Sequence, residues 1–227
     1  MVKFIESELV SLRREVNEMW TIVYNQISKA SDAVLMMDKE LAQQVILREK
    51  RVNAVELKID SDVEDVIALY NPVAIDLRFV LAASRINNDL ERIGDFAEGI
   101  AKFVMKCEKT SIDADLLREL KLEVMFNQVL SMLEISKKAF NDENIELATS
   151  LFSRDNVLDE INAAVTDILT DYIENHIEDT KICLELIGVF RKLERAGDHI
   201  TNIAEEIVFF VDAKVLKHME KENNSSN

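Results

Sequence analysis

The sequence predicts an all-α protein: two tandem three-helix bundles, six long antiparallel helices in all, related by internal duplication. Three observations predict it. Apolar residues recur at three- and four-residue intervals along almost the whole of the 227-residue chain, which is the helical period. One proline and four glycines leave almost no material for hairpin turns, so β and α/β folds have little support. The stretch "ERIGD", Glu91–Asp95, returns about a hundred residues later as "ERAGD", Glu194–Asp198, and so divides the chain into halves.

The first helix is expected from Phe4 to Met36 and the second from Lys39 to Leu69. Pro72 in "YNPVAID" then opens the third in its first turn, where the missing N–H costs nothing, and this helix continues to Lys106. The polar break "CEKTSIDAD" offers Thr110 or Ser111 as the N-cap of the fourth helix, and marks the boundary between a first domain at 1–108 and a second at 109–218. The fourth helix ends near Asn141, the fifth runs from Glu143 to Asn175, and the sixth from Thr180 to Lys217. Residues 219–227, polar and terminal, read as a disordered tail. Short connections make sequential helices antiparallel neighbours.

Composition narrows the function classes. Hydrophobic residues at 48% and charged residues at 31% are those of a folded, soluble chain. No stretch reaches the roughly 18–20 apolar residues of a bilayer span, and the opening "MVKFIESELV" lacks the pattern of a secretory leader. The expected location is the cytoplasm, with any membrane association made through partners. Cys107 and Cys183 stand singly in helical patterns and read as reduced core thiols. A net charge of −16 without a basic stripe excludes nucleic acid and favours cations or basic protein surfaces.

The acids then fall into columns. Each helical residue advances by about 100°, so with Leu90 at zero, Glu91, Asp95 and Glu98 gather at roughly 80–140°, beside the apolar seam of Ile93, Ala97, Ile100 and Ala101. Glu49, Asn53, Glu56 and Asp60 form a second column on the preceding helix. With an offset of 103 residues "ERIGDFAEGIAK" aligns with "ERAGDHITNIAE", and with an offset of 106, Glu49, Asn53 and Glu56 align with Asp155, Asp159 and Asn162. Like charges on facing helices repel, and they need protons, basic partners or cations to offset them. Carboxylates with an occasional amide, and no thiolate or imidazole, form a hard oxygen set. The metal candidates are therefore Glu91, Asp95, Glu98, Glu194, Asp198, Glu49, Asn53, Glu56, Asp155 and Asp159. A single Glu-x-x-x-Asp is usually a solvated face; its repetition with the same Arg and Gly is what raises this one above that reading. Gly94 and Gly197, each costing about 1 kcal/mol in a helix interior, are expected where a neighbouring helix or bulky cluster approaches closely. Arg92 and Arg195 point away from the seam and read as solvated ion pairs.

These residues resemble the PhoU family of cytoplasmic phosphate-signalling regulators. "VLAASRINNDLERIGDFAEGIAK" and "VFRKLERAGDHITNIAEEIVF" are similar to its two Glu/Asp-x-x-x-Asp motifs, and "VILREKRVNAVELKID" to its second-helix segment. The resemblance implies a metal ion or multinuclear cluster on each bundle's carboxylate face, with iron, manganese, magnesium, calcium or zinc as candidates. Glu91 with Asp95 and Glu194 with Asp198 carry over as the motif pairs. It also implies a negative regulator of phosphate uptake and phosphate-starvation signalling, an adaptor without catalysis between a phosphate ABC transporter's ATPase subunit and a sensor histidine kinase, and a homodimer or larger oligomer. Asn53 is neutral where Asp159 is charged, and Thr201 stands where the first half has Glu98, so the two sites are expected to differ. Rival readings are a transport accessory without a kinase partner, an inert helical module, and a di-iron oxidase. The last requires Glu-x-x-His, whereas Ile173, Ala196 and Val215 precede His176, His199 and His218 by three.

Overall fold

The computed structural model describes the backbone of residues 2–213 and side chains from Ile5 onward; the expected tail at 219–227, and residues 214–217 at the end of the expected sixth helix, lie outside the described residues. The elements are α1 (Val2–Met36), α2 (Lys39–Tyr70), α3 (Ala74–Lys106), α4 (Ala114–Glu119), α5 (Leu122–Asp142), α6 (Ile145–Asn175) and α7 (Thr180–Asp212), with a 3-10 turn at Ile177–Asp179 before α7. No strand occurs among the described residues.

Equivalent caps reveal the duplication. Asp38 and Asn144, 106 residues apart, are the N-caps of α2 and α6, and each accepts backbone N–H bonds from the first turn it opens. Met37 and Glu143, immediately before them, share a left-handed backbone with φ of 49° and 50°. Glu143 therefore closes α5, and the expected start of the following helix moves to Ile145.

Three further expectations are corrected. The fourth helix is two: Asp113, whose carboxylate accepts from Asp115 N and Leu116 N, is the N-cap, not Thr110 or Ser111, and Lys121 breaks the run with φ 55°. In an unbroken helix Leu120 and Leu122 would lie roughly 200° apart; the break lets both be buried. Pro72 is outside α3, following the left-handed C-cap Asn71 of α2, where a residue unable to continue a helix belongs. α7 ends at Asp212, with Ala213 as a left-handed cap.

α2 packs on α1 and α3, and α6 on α5 and α7; the halves meet through α3 against α7 and α1 against α5. One core spans both bundles. Within it Trp20 of α1, Phe79 of α3, Phe140 of α5 and Phe210 of α7 form an aromatic cluster, with ring centroids 5.1 Å apart for the tilted pair Trp20–Phe140, 6.0 Å for the stacked pair Phe79–Phe140 and 5.7 Å for the edge-to-face pair Phe79–Phe210. Each such burial stabilises by roughly 1.5–3 kcal/mol. The indole N–H of Trp20 is satisfied inside that core by Ser136 Oγ at 3.1 Å. Cys107 and Cys183 are buried free thiols, as expected.

α3 and α7 run antiparallel, fixed by polar pairs along their length. Arg85 Nη1 donates to both carboxylate oxygens of Glu206 at 3.0 Å, His199 Nδ1 lies 2.8 Å from Asp89 Oδ1, and the Arg195 guanidinium sits 4.8 Å from the Phe96 ring centre. Gly99 admits the stem of Lys192, whose Cε would lie 2.6 Å from an added Cβ. Gly188 is different, since a Cβ there would meet only Lys192 Nζ at 3.7 Å. Gly188→Ala is therefore expected to stabilise the protein by about 0.5–1 kcal/mol through helix propensity, read as a raised urea midpoint with unchanged slope.

Candidate metal centre

In the first half the columns do face each other. Glu49 of α2 is buried, at 5% exposure, and lies among Asp95, Glu98 and Glu91 of α3. Burial first, then the Asp95 charge, pushes its carboxyl up to about 7. Glu56 is raised by burial and by Asp60 and Asp95, and Glu91 by burial and by Asp95 and Glu56. Asn53 is exposed. Asn87 of α3 ties the far end of the column to α2, donating to Glu56 O and Asp60 Oδ1 at 3.1 Å each.

Basic partners offset part of this charge. Arg92 lies 3.6 Å from Glu91 Oε2 and 3.5 Å from Asp95 Oδ2, and Lys102 Nζ is 2.5 Å from Glu98 Oε2. Arg92 thus makes the expected surface ion pairs. Arg195 instead stacks on Phe96 across the bundle interface, a contact that depends on docking of the two halves and has no local signal.

The second half repeats the arrangement between α6 and α7. Glu194 is raised by burial, then by Asp198 and Asp159; Asp198, more open to solvent, is raised by partial burial and then by Asp159. Asp159 is exposed, and Asp155 is half-buried against Gly197. His199 links the halves: its Nδ1 reaches Asp89 of α3, and in its protonated form the ring favours ionisation of both Glu91 and Asp198.

Both motif glycines are places of close helix approach. A Cβ at Gly94 would lie 3.1 Å from Val52 Cγ1 and 3.7 Å from Glu49 Oε2; at Gly197 it would collide with Asp155 Oδ1 and lie 2.5 Å from Leu158 Cδ1. Absent side chains at these points let α2 and α6 bring their acids to the motif helices.

Among the described residues, no three His, Cys, Asp or Glu side chains converge as a closed cage for one metal ion would require. The acids form open columns, and their chemistry fits hard cations spread along a surface. The sharpest sign of a missing partner lies inside: Glu49 Oε1 is buried and accepts no hydrogen bond. Sequence reasoning missed Gln26 of α1, which is 1% exposed and whose Nε2 donates to Val45 O at 2.9 Å and approaches Glu49 Oε2 at 3.5 Å. The available signal was one amide in the α1 seam of Met19, Val23, Gln26 and Ala30.

The fold and columns define a class: duplicated helical bundles carrying a carboxylate face on each repeat, with no strand or nucleotide loop among the described residues. The model of the PhoU domain matches residues 16–104 and 122–207. The phosphate-specific transport system accessory protein PhoU homolog 1 of Thermotoga maritima is 31% identical over 212 residues, covering 93% of this chain and 90% of that protein. The crystal structure of PhoU from Pseudomonas aeruginosa superposes with a TM-score of 0.82 at 29% identity, over 92% of this chain and 99% of that one. That of the phosphate transport system regulatory protein PhoU from Streptococcus pneumoniae gives 0.83 at 26% identity, over 94% and 99%. The chain belongs to the PhoU family.

Proposed function

We propose that this protein is an accessory regulator of phosphate-specific transport, binding cations on the carboxylate face of each half and restraining phosphate uptake and phosphate-starvation signalling. It works as an adaptor without turnover, joining the ATPase subunit of a phosphate ABC transporter to a sensor histidine kinase. The relatives' names support the transport half of this reading; the kinase is its finer part. It acts in the cytoplasm as a homodimer or oligomer and reaches the membrane through partners, in keeping with the absence of any described helix long and apolar enough to cross one.

The observation that carries the cation reading is Glu49: a buried carboxylate, one oxygen without a donor, facing three further acids. Glu49, Glu56, Glu91, Asp95 and Glu98 would hold cations in the first half, with Asn53 at the exposed margin; Asp155, Asp159, Glu194 and Asp198 would hold them in the second. A bound cation supplies positive charge that these columns lack. Iron, manganese, magnesium, calcium and zinc all accept such oxygen donors.

Metal analysis of protein purified without chelator or nickel resin tests this. Glu91→Ala/Asp95→Ala and Glu194→Ala/Asp198→Ala are each expected to lose their own half's share of metal while keeping helical content. Wild type with no metal, beside equally stable variants, would make the acids a solvated face. Co-purification with the ATPase subunit and with the kinase's cytoplasmic part, repeated with the double variants, then separates an adaptor from an accessory of transport alone.

A further inference from the structure

The two halves are not equivalent beneath their columns. The offset of 106 residues that superposes the N-caps Asp38 and Asn144 also pairs the buried seams of α1 and α5: Met19 with Met125, Trp20 with Phe126, Val23 with Val129, Ile27 with Leu133. At Gln26 the pairing fails. Its counterpart is Met132, fully buried, so a primary amide in one half stands where the other has a thioether.

Gln26 is held at one end and unsatisfied at the other. Donation from Nε2 to Val45 O at 2.9 Å fixes which end is which, and the same nitrogen reaches Glu49 Oε2 at 3.5 Å. Gln26 Oε1 and Glu49 Oε1 are then two buried acceptors, on side chains 1% and 5% exposed, that no protein donor meets. Leaving a buried acceptor unmet costs roughly 1–3 kcal/mol. Both sit on side chains in contact with each other, and Glu49 also feels the charges of Asp95, Glu98 and Glu91.

We propose that Gln26 is a positioning and specificity residue of the first cation site: its amide N–H steadies Glu49 from α1, its carbonyl adds a neutral oxygen at the floor of the column, and the second half, with Met132, lacks this inner position. The proposal rests on the cation reading above. An amide oxygen is a hard donor suited to manganese, magnesium or calcium, whereas the thioether at Met132 is not. The first site is accordingly the tighter of the two for a hard divalent ion, and α1 contributes to it together with α2 and α3.

The test uses manganese(II), whose free-ion EPR signal disappears on binding, titrated into the full chain carrying Glu194→Ala/Asp198→Ala so that only the first site remains. Gln26→Met, which installs the residue of the other half, is expected to weaken binding by roughly 10–100-fold, the usual effect of losing a group that orients a ligand. Gln26→Asn, which withdraws the amide by one methylene while keeping it polar, is expected to weaken it as well, and serves if the methionine variant does not fold. Melting in chelator accompanies each titration, because a merely structural role would shift the melting temperature and leave the affinity of the folded protein unchanged. Binding by the parent with unchanged affinity in either folded variant overturns the role of Gln26 alone. A wild-type protein that binds no manganese overturns the cation reading itself, and this inference with it.

Discussion

Gly197→Ala is expected to destabilise the protein by about 2–3 kcal/mol, although alanine is the better helix former by about 1 kcal/mol. The added methyl would collide with Asp155 Oδ1 and lie 2.5 Å from Leu158 Cδ1, and Leu158 is fully buried, so neither α6 nor its side chains can yield cheaply. The same change at Gly94 meets Val52 Cγ1 at 3.1 Å, a contact relieved by a shift of a few tenths of an ångström. Gly94→Ala should therefore lie within about 1 kcal/mol of wild type. Urea denaturation of both variants measures the contrast. Equal stabilities would show that α6 can move off α7 without cost. Gly94→Leu, which must enter the space of Val52 and Glu49, is expected to reduce both stability and metal content.

The second large effect is on pH dependence. In the cation-free protein Glu49 titrates at about 7 against an ordinary value of 4.5. Between those values the folded state holds a proton that the unfolded chain has released. Raising the pH through that window therefore removes stability, and the loss is complete above about 7; below 4.5 both states are protonated and the penalty vanishes. A displacement of this size corresponds to about 3 kcal/mol. Glu49→Gln, neutral and nearly isosteric, should be about 2–3 kcal/mol more stable than wild type at pH 8 in chelator, and indistinguishable from it at pH 4. Adding a divalent cation at pH 8 should stabilise wild type and reverse the order. An equal difference at both pH values would mean that Glu49 is not held against its neighbours' charge.

The ion pairs on the first half's columns leave the Glu49 penalty in place. Arg92 is about half exposed, so its contacts with Glu91 and Asp95 contribute little in screened solvent. They do not compensate Glu49, which lies deeper.

Much of the architecture was legible in the residues. The apolar period located the long helices, and all six expected starts and ends in the first half fell within two residues of the observed ones. The column of Glu91, Asp95 and Glu98 beside its seam was legible because a helix fixes the angle of every side chain about its axis. Where the reading failed, a local competitor had decided the matter: Asp113 caps where Thr110 or Ser111 was expected, and left-handed Lys121 divides a helix because Leu120 and Leu122 must both face inward.

The sequence by itself determined the helices, the duplication, the two carboxylate columns and the need for a close approach at Gly94 and Gly197, since all of these follow from periodicity, repetition and the cost of glycine in a helix. Tertiary structure alone decided which acid is buried, that Gln26 of α1 lies against Glu49 while Met132 takes the equivalent place, and that Asp89 meets His199 and Arg195 meets Phe96 across the bundles. The reason is physical: an intrahelical angle is set by neighbours in the chain, whereas burial and interhelical distance are set by how far two packed surfaces interpenetrate, and that depends on every side chain between them.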